Sequence, residues 1–123
     1  MMVLRTGVDM SSVSALERRA RRSRNDFIGR FWTERERTDC GDDYSRLAAR
    51  WSAKEAAMKA LEMGIGKIDP VDIEVVTEAG APSLRFYGTA ATQADHLGLN
   101  QWSVSLSHEQ DLAIAIVVAL GEK

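Results

Sequence analysis

The hydrophobic and polar positions divide the chain into a mainly helical first half and a mainly extended second half. Residues 3–10 are rich in apolar side chains and predict a strand. Apolar positions then recur every three or four residues over 13–24 and 46–63, which predicts two helices. Thr33 followed three residues later by Glu36 is typical of the start of a third helix between them.

In the second half, apolar and polar residues alternate, and the pattern predicts three strands: 71–77, 83–87 and 102–107. A further helix is expected over residues 89–96. Residues 112–120 are almost continuously apolar, which predicts a central strand. This order of elements predicts one α+β domain over residues 1–123, in which a mainly antiparallel sheet packs around the long helix 46–63.

Charge is distributed unevenly along the chain, although the formal net charge is only -2. The basic residues lie mostly in the first half, and five of the twelve arginines fall between Arg18 and Arg24 with no acidic residue among them. A solvated helix face is the ordinary explanation of such a cluster. Because solvated faces usually mix both signs of charge, an acidic partner or a phosphate is the alternative that the sequence favours.

Composition excludes several classes of protein. Apolar residues make up 45% and charged residues 28% of the chain, which is typical of a globular domain rather than a disordered one. No apolar run approaches the length of a membrane span, so no membrane partner is expected. The single cysteine, Cys40, has no partner for an internal disulfide, and we predict a cytoplasmic location.

The long helix 46–63 carries the most informative charges. Its apolar residues occupy two faces, which predicts packing on two sides, yet Arg50, Lys54, Glu55 and Lys59 lie on the same helix. Buried charges are costly unless they meet a counter-charge, a metal or a ligand. The alternative is a simple surface pair between Glu55 and Lys59, with the Lys54 amine reaching solvent.

Two further segments carry residues that suit phosphate chemistry. Asp9 ends the first strand and, beside Glu55, would supply a second oxygen ligand for Mg²⁺. His108 ends an alternating strand and could bind an anion, although a histidine at a strand end is often incidental. Two carboxylates that hold a metal ion are typical of phosphoryl transfer, in which the metal, lysines and arginines neutralise charge on the phosphate oxygens. Nucleotide-binding glycine motifs, a serine-hydrolase elbow and a zinc ligand set are absent from the sequence.

Four motifs in this chain resemble those of the holo-acyl-carrier-protein synthases, the small 4'-phosphopantetheinyl transferases. The order and spacing agree over nearly the whole chain, and the Trp-Ser-Ala-Lys-Glu-Ala-Ala-Met-Lys core is the specific one. The motifs are Gly-Val-Asp at 7–9, Phe-Trp-Thr-Glu-Arg-Glu at 31–36, the core at 51–59 and Ser-Leu-Ser-His-Glu at 105–109.

The resemblance implies a reaction and roles for three residues. Such enzymes move 4'-phosphopantetheine from coenzyme A to a serine of an apo acyl carrier protein and release adenosine 3',5'-bisphosphate. Asp9 and Glu55 match the family's Mg²⁺ ligands, and Lys59 matches the lysine that contacts the phosphate. Either Glu55 or a metal-bound water is the candidate base for the incoming serine.

The resemblance also implies how coenzyme A and neighbouring subunits are bound. Arg50 and His108 match residues that bind the nucleotide end, including its 3'-phosphate, and Lys54, which lies beside the site, is a further candidate for binding coenzyme A. The family is typically a homotrimer with sites between neighbouring subunits. Many members carry Gly-Thr-Gly after this helix, whereas this chain has Glu62, Met63 and Gly64. The resemblance therefore does not predict how this loop contacts the nucleotide.

The arginine cluster is expected to bind the acceptor. Family members dock the acidic acyl carrier protein on the basic first helix, and the candidates here are Arg18, Arg21, Arg22 and Arg24. The alternatives are an acceptor domain of a polyketide synthase, an inactive relative, or a non-catalytic module that binds nucleic acid through the arginines. The acidic net charge and the core-like spread of the aromatic residues speak against nucleic acid.

Overall fold

The computed structural model describes the backbone of residues 1–123 and every side chain except those of Arg24 and Asn25. Five strands and five α-helices follow one another along this backbone, with a 3₁₀ turn at Pro70–Asp72 before the second strand. Their bounds are β1 (Met2–Ser12), α1 (Val13–Arg22), α2 (Arg24–Phe31), α3 (Glu34–Cys40), α4 (Tyr44–Leu61), β2 (Ile73–Glu78), β3 (Ala81–Phe86), α5 (Gly88–Leu97), β4 (Leu99–Glu109) and β5 (Leu112–Glu122).

The strands form two antiparallel sheets around α4, which confirms the predicted α+β fold. One sheet has the order β1-β5-β4, and the other is the hairpin of β2 and β3. The hairpin lies beside the larger sheet, where the ring of Phe86 packs on that of Trp102 with centroids 4.3 Å apart. The final strand is central in the larger sheet, as its apolar sequence predicts.

One face of this sheet exposes apolar side chains along β5 and β1. Residues of β5 alternate between an inner face of small buried side chains, such as Ala113 and Ala115, and an outer face. On the outer face Ile114, Ile116 and Val118 keep between 38% and 47% of their surface exposed. The continuous apolar run therefore does not mean that β5 is buried on both faces within one protomer. We call this outer surface of the sheet the open sheet face, and Leu4, Val8 and Met10 of β1 extend it.

Helix α4 approaches the inner face of β1 unusually closely. A Cβ atom added at Gly7 would lie 1.8 Å from the carbonyl oxygen of Ala56, so only glycine fits at this crossing. The facing side of α4 is built from alanines, including Ala53 and Ala60, which are fully buried. Asp9 follows two residues after Gly7 on the same face of the strand, and is thereby held against the helix.

The short helices between β1 and α4 were only partly predictable. Thr33 caps α3 and forms the predicted capping box with Glu36. Helix α2 was not predicted, because its sequence has little helical periodicity. It is held instead by aromatic packing, in which Phe27 meets the edge of Trp32 with centroids 5.3 Å apart. Asp43 caps α4, and the helix begins at Tyr44 and ends at Leu61 rather than spanning 46–63.

A buried ion pair joins α3, α4 and β2. Lys54 and Glu36 are both fully buried, with Nζ 2.7 Å from Oε1. The Lys54 amine also donates to the carbonyl oxygens of Pro70 and Ile73, and Glu36 accepts from the amide of Val75. Burial lowers the pKa of Lys54, and the Glu36 carboxylate opposes that shift. Removing one partner of such a pair typically costs about 3–5 kcal/mol, so these residues stabilise the fold.

Candidate active site

The structure brings three of the predicted site residues together where β1 crosses α4. Glu55 and Lys59 lie one turn apart on α4, facing the end of β1 that carries Asp9. Lys59 donates from Nζ to Oδ1 of Asp9 at 3.2 Å and to the carbonyl oxygen of Val8 at 2.8 Å. The lysine therefore binds the strand, which differs from the simple Glu55–Lys59 surface pair considered from the sequence.

Electrostatics in this cluster favour a bound cation. The pKa of Glu55 is raised, first by burial of its carboxyl group and then by the nearby negative charge of Asp9, while Lys59 opposes the shift. Two neighbouring carboxylates that destabilise each other's charge are relieved by a divalent ion. Among the described residues no group of three or more metal-ligating side chains is formed. A pair of carboxylates nevertheless fits Mg²⁺, which usually takes one or two from the protein and completes its shell with water and phosphate.

We expect the Asp9→Asn variant to lower the pKa of Glu55, because the substitution removes the neighbouring negative charge and nearly preserves the side-chain shape. Lys59→Met is the matched opposite change, and should raise the pKa of Glu55 further. Carbon-detected NMR titration of the Glu55 carboxyl group in metal-free protein measures both shifts. Shifts of the same sign in the two variants would contradict the arrangement described here.

Two cavities meet at Glu55. The first, which we call the lysine cavity, measures about 390 Å³. The second, the arginine cavity, measures about 290 Å³ on the side of β1 and α1. The lysine cavity is lined by Glu55, Met58, Lys59, Glu62, Met63 and Ile65. The arginine cavity is lined mainly by Asp9, Ser11, Arg19, Phe27, Trp51 and Glu55. A ligand longer than either cavity could therefore pass across Glu55 and occupy both.

His108 lies apart from the three-residue cluster within one protomer. It is exposed near the end of β4, in register with Ala113 of β5. Because β5 separates β4 from β1, strand geometry places the Cα atoms of His108 and Asp9 roughly 12 Å apart. The exposed histidine does not meet the carboxylates directly.

Arg50 and Lys54 are placed in the interior rather than at the cluster. Arg50 is 3% exposed and donates from Nη2 to the hydroxyl of Thr77 on β2 at 3.1 Å. Its Nε is buried without a hydrogen-bond partner among the described residues. Lys54 forms the buried pair with Glu36 described above. Both side chains thus bind neighbouring segments on the far side of α4 from Asp9.

The predicted docking arginines project from α1. Arg18, Arg21 and Arg22 are exposed, and Arg21 pairs with Glu17 one turn earlier at 2.9 Å. The side chain of Arg24 lies outside the described residues.

Sequence reasoning missed two residues that belong to this region. Arg19 is exposed, like Arg18, but its side chain lines the arginine cavity, and its position three residues after the buried Leu16 is the signal that could have placed it beside the buried face of α1. Asp111 was also missed, because its partners are far away in sequence. Its carboxylate accepts from the Ser14 amide at 2.8 Å and from the hydroxyls of Ser12 and Ser14. These bonds lower the pKa of Asp111 and attach the β4–β5 turn to the start of α1.

Comparison with known proteins decides the family. Residues 5–117 match the family described as the 4'-phosphopantetheinyl transferase superfamily. The chain belongs to this superfamily. A holo-[acyl-carrier-protein] synthase of Herpetosiphon aurantiacus is 44% identical, over 97% of this chain and 100% of the relative. A holo-[acyl-carrier-protein] synthase of Carboxydothermus hydrogenoformans is 40% identical, over 92% of this chain and 94% of the relative.

Solved structures of the superfamily share this fold. The crystal structure of holo-[acyl-carrier-protein] synthase from Helicobacter pylori in complex with coenzyme A superimposes with a TM-score of 0.85. It is 31% identical to this chain, and the match covers 93% of this chain and 98% of that one. The family and the α+β fold predicted from the sequence motifs are thus confirmed. None of the described helices has the length and apolar character needed to cross a bilayer.

Proposed function

We propose that Asp9, Glu55 and Lys59 form the active site of this transferase and that Asp9 and Glu55 hold Mg²⁺ there. The reaction is that of a holo-[acyl-carrier-protein] synthase, in which 4'-phosphopantetheine passes from coenzyme A to an apo acyl carrier protein. The observation that carries the proposal is the convergence of two carboxylates and one lysine beside two cavities, in a member of this superfamily.

The chemistry requires one displacement at phosphorus. The hydroxyl oxygen of the carrier serine attacks the pantetheine-side phosphorus, and the bond from that phosphorus to the bridging diphosphate oxygen breaks. Adenosine 3',5'-bisphosphate leaves with the bridging oxygen. Mg²⁺, when bound, supplies neutralisation of charge on the diphosphate oxygens. Lys59 neutralises the leaving phosphate, and Glu55, whose carboxylate borders both cavities, accepts the serine proton.

Removal of the metal tests the proposed site. Treatment with EDTA is expected to stop release of adenosine 3',5'-bisphosphate from coenzyme A and apo carrier, and excess Mg²⁺ should restore it. Chromatography of the nucleotide products measures this release. Full turnover in EDTA, by a sample whose metal content is shown to be negligible, would contradict the magnesium assignment.

We propose that the protein is a homotrimer whose subunits cover the open sheet face. The exposed Ile114, Ile116 and Val118 form a contiguous apolar strip along β5, and β1 extends it with Val8 and Met10. Large contiguous apolar surfaces usually mark an interaction site. His108 lies on the other side of the sheet, in register with the inward-facing Ala113, and is exposed near the end of β4. We propose that it binds the nucleotide end of coenzyme A.

The Ile116→Lys variant is expected to dissociate the assembly, because it buries a charge in the proposed interface. Thr92→Lys, at an exposed position of α5, is the matched control and should leave the mass of the sedimenting assembly at the wild-type value. Sedimentation velocity of the wild type and both variants measures the assembly. A wild type that sediments as a monomer, or an unchanged assembly in Ile116→Lys, would refute the interface.

The exposed arginines of α1 are proposed to dock the carrier protein. Acyl carrier proteins are acidic, so Arg18, Arg21 and Arg22, together with Arg24, would act mainly on encounter rate and orientation. We propose a carrier of fatty acid biosynthesis as the acceptor, with a polyketide synthase carrier domain as the second candidate. A cytoplasmic setting is proposed as well, supported by the free, buried thiol of Cys40.

Arg50 and Lys54 are not included in the proposed substrate contacts. Their side chains are almost completely buried on another side of α4. We propose that they fix the position of the helix that carries Glu55 and Lys59. This assignment replaces the substrate contacts expected for them from the resemblance.

A further inference from the structure

Arg19 lies at the active site, although it belongs to the same helix as the docking arginines. Its side chain lines the arginine cavity together with Asp9 and Glu55. The guanidinium carbon sits 4.4 Å from the centroid of the Phe27 ring and 5.7 Å from that of Phe31. Phe27 lines the same cavity, so the ring positions the arginine at the cavity wall.

The packing leaves the hydrogen-bonding groups of Arg19 available. A guanidinium donates through N–H groups in its own plane, so an aromatic ring against its face does not use them. Within the part of the chain described by the structure, no carboxylate forms an ion pair with Arg19. Arg21, by contrast, already forms an ion pair with Glu17. A stacked, unpaired arginine is typical of a site for a phosphate.

The residues that line the two cavities indicate how a diphosphate would lie across Glu55. Lys59 and the loop after α4, which contains Met63, line the lysine cavity, whereas Arg19 lines the arginine cavity on the other side of Glu55. A diphosphate that passes across Glu55 would present one phosphate to each cation. The adenosine 3',5'-bisphosphate part of coenzyme A is bulky, and the lysine cavity is the larger of the two, so the nucleotide is assigned to the lysine cavity and the pantetheine-side phosphate to the side of Arg19.

We propose that Arg19 binds the pantetheine-side phosphate of coenzyme A, the group that is transferred, and is therefore a substrate-binding residue rather than a docking one. This inference rests on the proposed function. A charge-assisted hydrogen bond contributes about 1.5–3 kcal/mol, which corresponds to a change of roughly 10- to 100-fold in affinity or rate.

The test compares Arg19→Met with Arg22→Met, which removes an exposed arginine of the same helix. Calorimetry with Mg²⁺ should show that Arg19→Met weakens coenzyme A binding about 10-fold or more. Binding of adenosine 3',5'-bisphosphate, which lacks the pantetheine-side phosphate, should stay at the wild-type value. In steady-state assays the same variant should lower kcat/KM for coenzyme A, whereas Arg22→Met should chiefly raise KM for the carrier. Arg19→Lys should recover part of the lost affinity because it restores the positive charge.

Three results would overturn the assignment: unchanged coenzyme A binding in Arg19→Met, equal weakening of both nucleotides, or a defect confined to KM for the carrier. Failure of the proposed function would look different. A wild type that binds coenzyme A but transfers nothing contradicts the transferase reaction, while the binding comparison still decides the role of Arg19. A wild type that does not bind coenzyme A refutes both.

Discussion

The Asp9→Asn and Glu55→Gln variants are each expected to lose turnover by about 10³-fold or more while remaining folded. Each substitution removes one of the two charged oxygen ligands available for Mg²⁺, and Glu55→Gln also removes the proposed base. Loss of a metal ligand or of a positioned charge at a phosphoryl-transfer site withdraws several kcal/mol of transition-state stabilisation. Steady-state rates with saturating coenzyme A and apo carrier measure the effect.

Asp95→Asn is the matched control, since it removes an exposed carboxylate from α5, away from the cluster. It should keep wild-type turnover. The thermal midpoint of Asp9→Asn and Glu55→Gln should stay close to that of the wild type, because each removes a repulsion between like charges. Near-normal activity in either site variant would show that the carboxylate pair is not the metal site.

The Gly7→Ala variant is expected to be destabilised by about 3 kcal/mol or more. The added methyl group would lie 1.8 Å from the carbonyl oxygen of Ala56, and neither backbone can move aside without separating β1 from α4. Overpacking in a closely packed interior usually costs about 1–3 kcal/mol, and a clash with backbone belongs at the upper end. Chemical denaturation followed by circular dichroism measures the loss.

Gly29→Ala provides the control, because Gly29 lies within α2 and a Cβ there meets nothing within 4 Å. Alanine is the better helix former, so this variant should be stabilised slightly, by about 0.5–1 kcal/mol. Any Gly7→Ala protein that folds should also lose activity, because Asp9 moves with the strand. A Gly7→Ala variant as stable as the wild type would disprove the close crossing.

The site could be predicted from the sequence to the extent that its residues share one helix or one strand end. Glu55 and Lys59 are one turn apart, and Asp9 lies near the end of the predicted strand 3–10, so the chemistry of the three residues could be recognised from the sequence, although β1 continues to Ser12. The interior placement of Lys54 was not visible, because Glu36 and the carbonyl groups that receive its amine come from distant segments. The periodicity of a helix identifies its apolar face but does not show which segment of the chain packs against that face.

The open sheet face and Arg19 illustrate the same limit. A continuous apolar strand such as β5 predicts burial, but the sequence does not say whether a helix of this chain or a second copy covers Ile116. Arg19 is one of five neighbouring arginines, and the sequence does not show that it packs on Phe27 and lines the arginine cavity. Contacts between elements that are remote in sequence are set by tertiary packing, which overrides local pattern.

The most direct test of the central claim is the intact mass of an apo acyl carrier protein after incubation with this protein, coenzyme A and Mg²⁺. The carrier should gain the mass of one phosphopantetheine on its acceptor serine. It should gain nothing when that serine is replaced by alanine or when EDTA is present. An unchanged carrier mass, with folded enzyme that binds coenzyme A, would contradict the account.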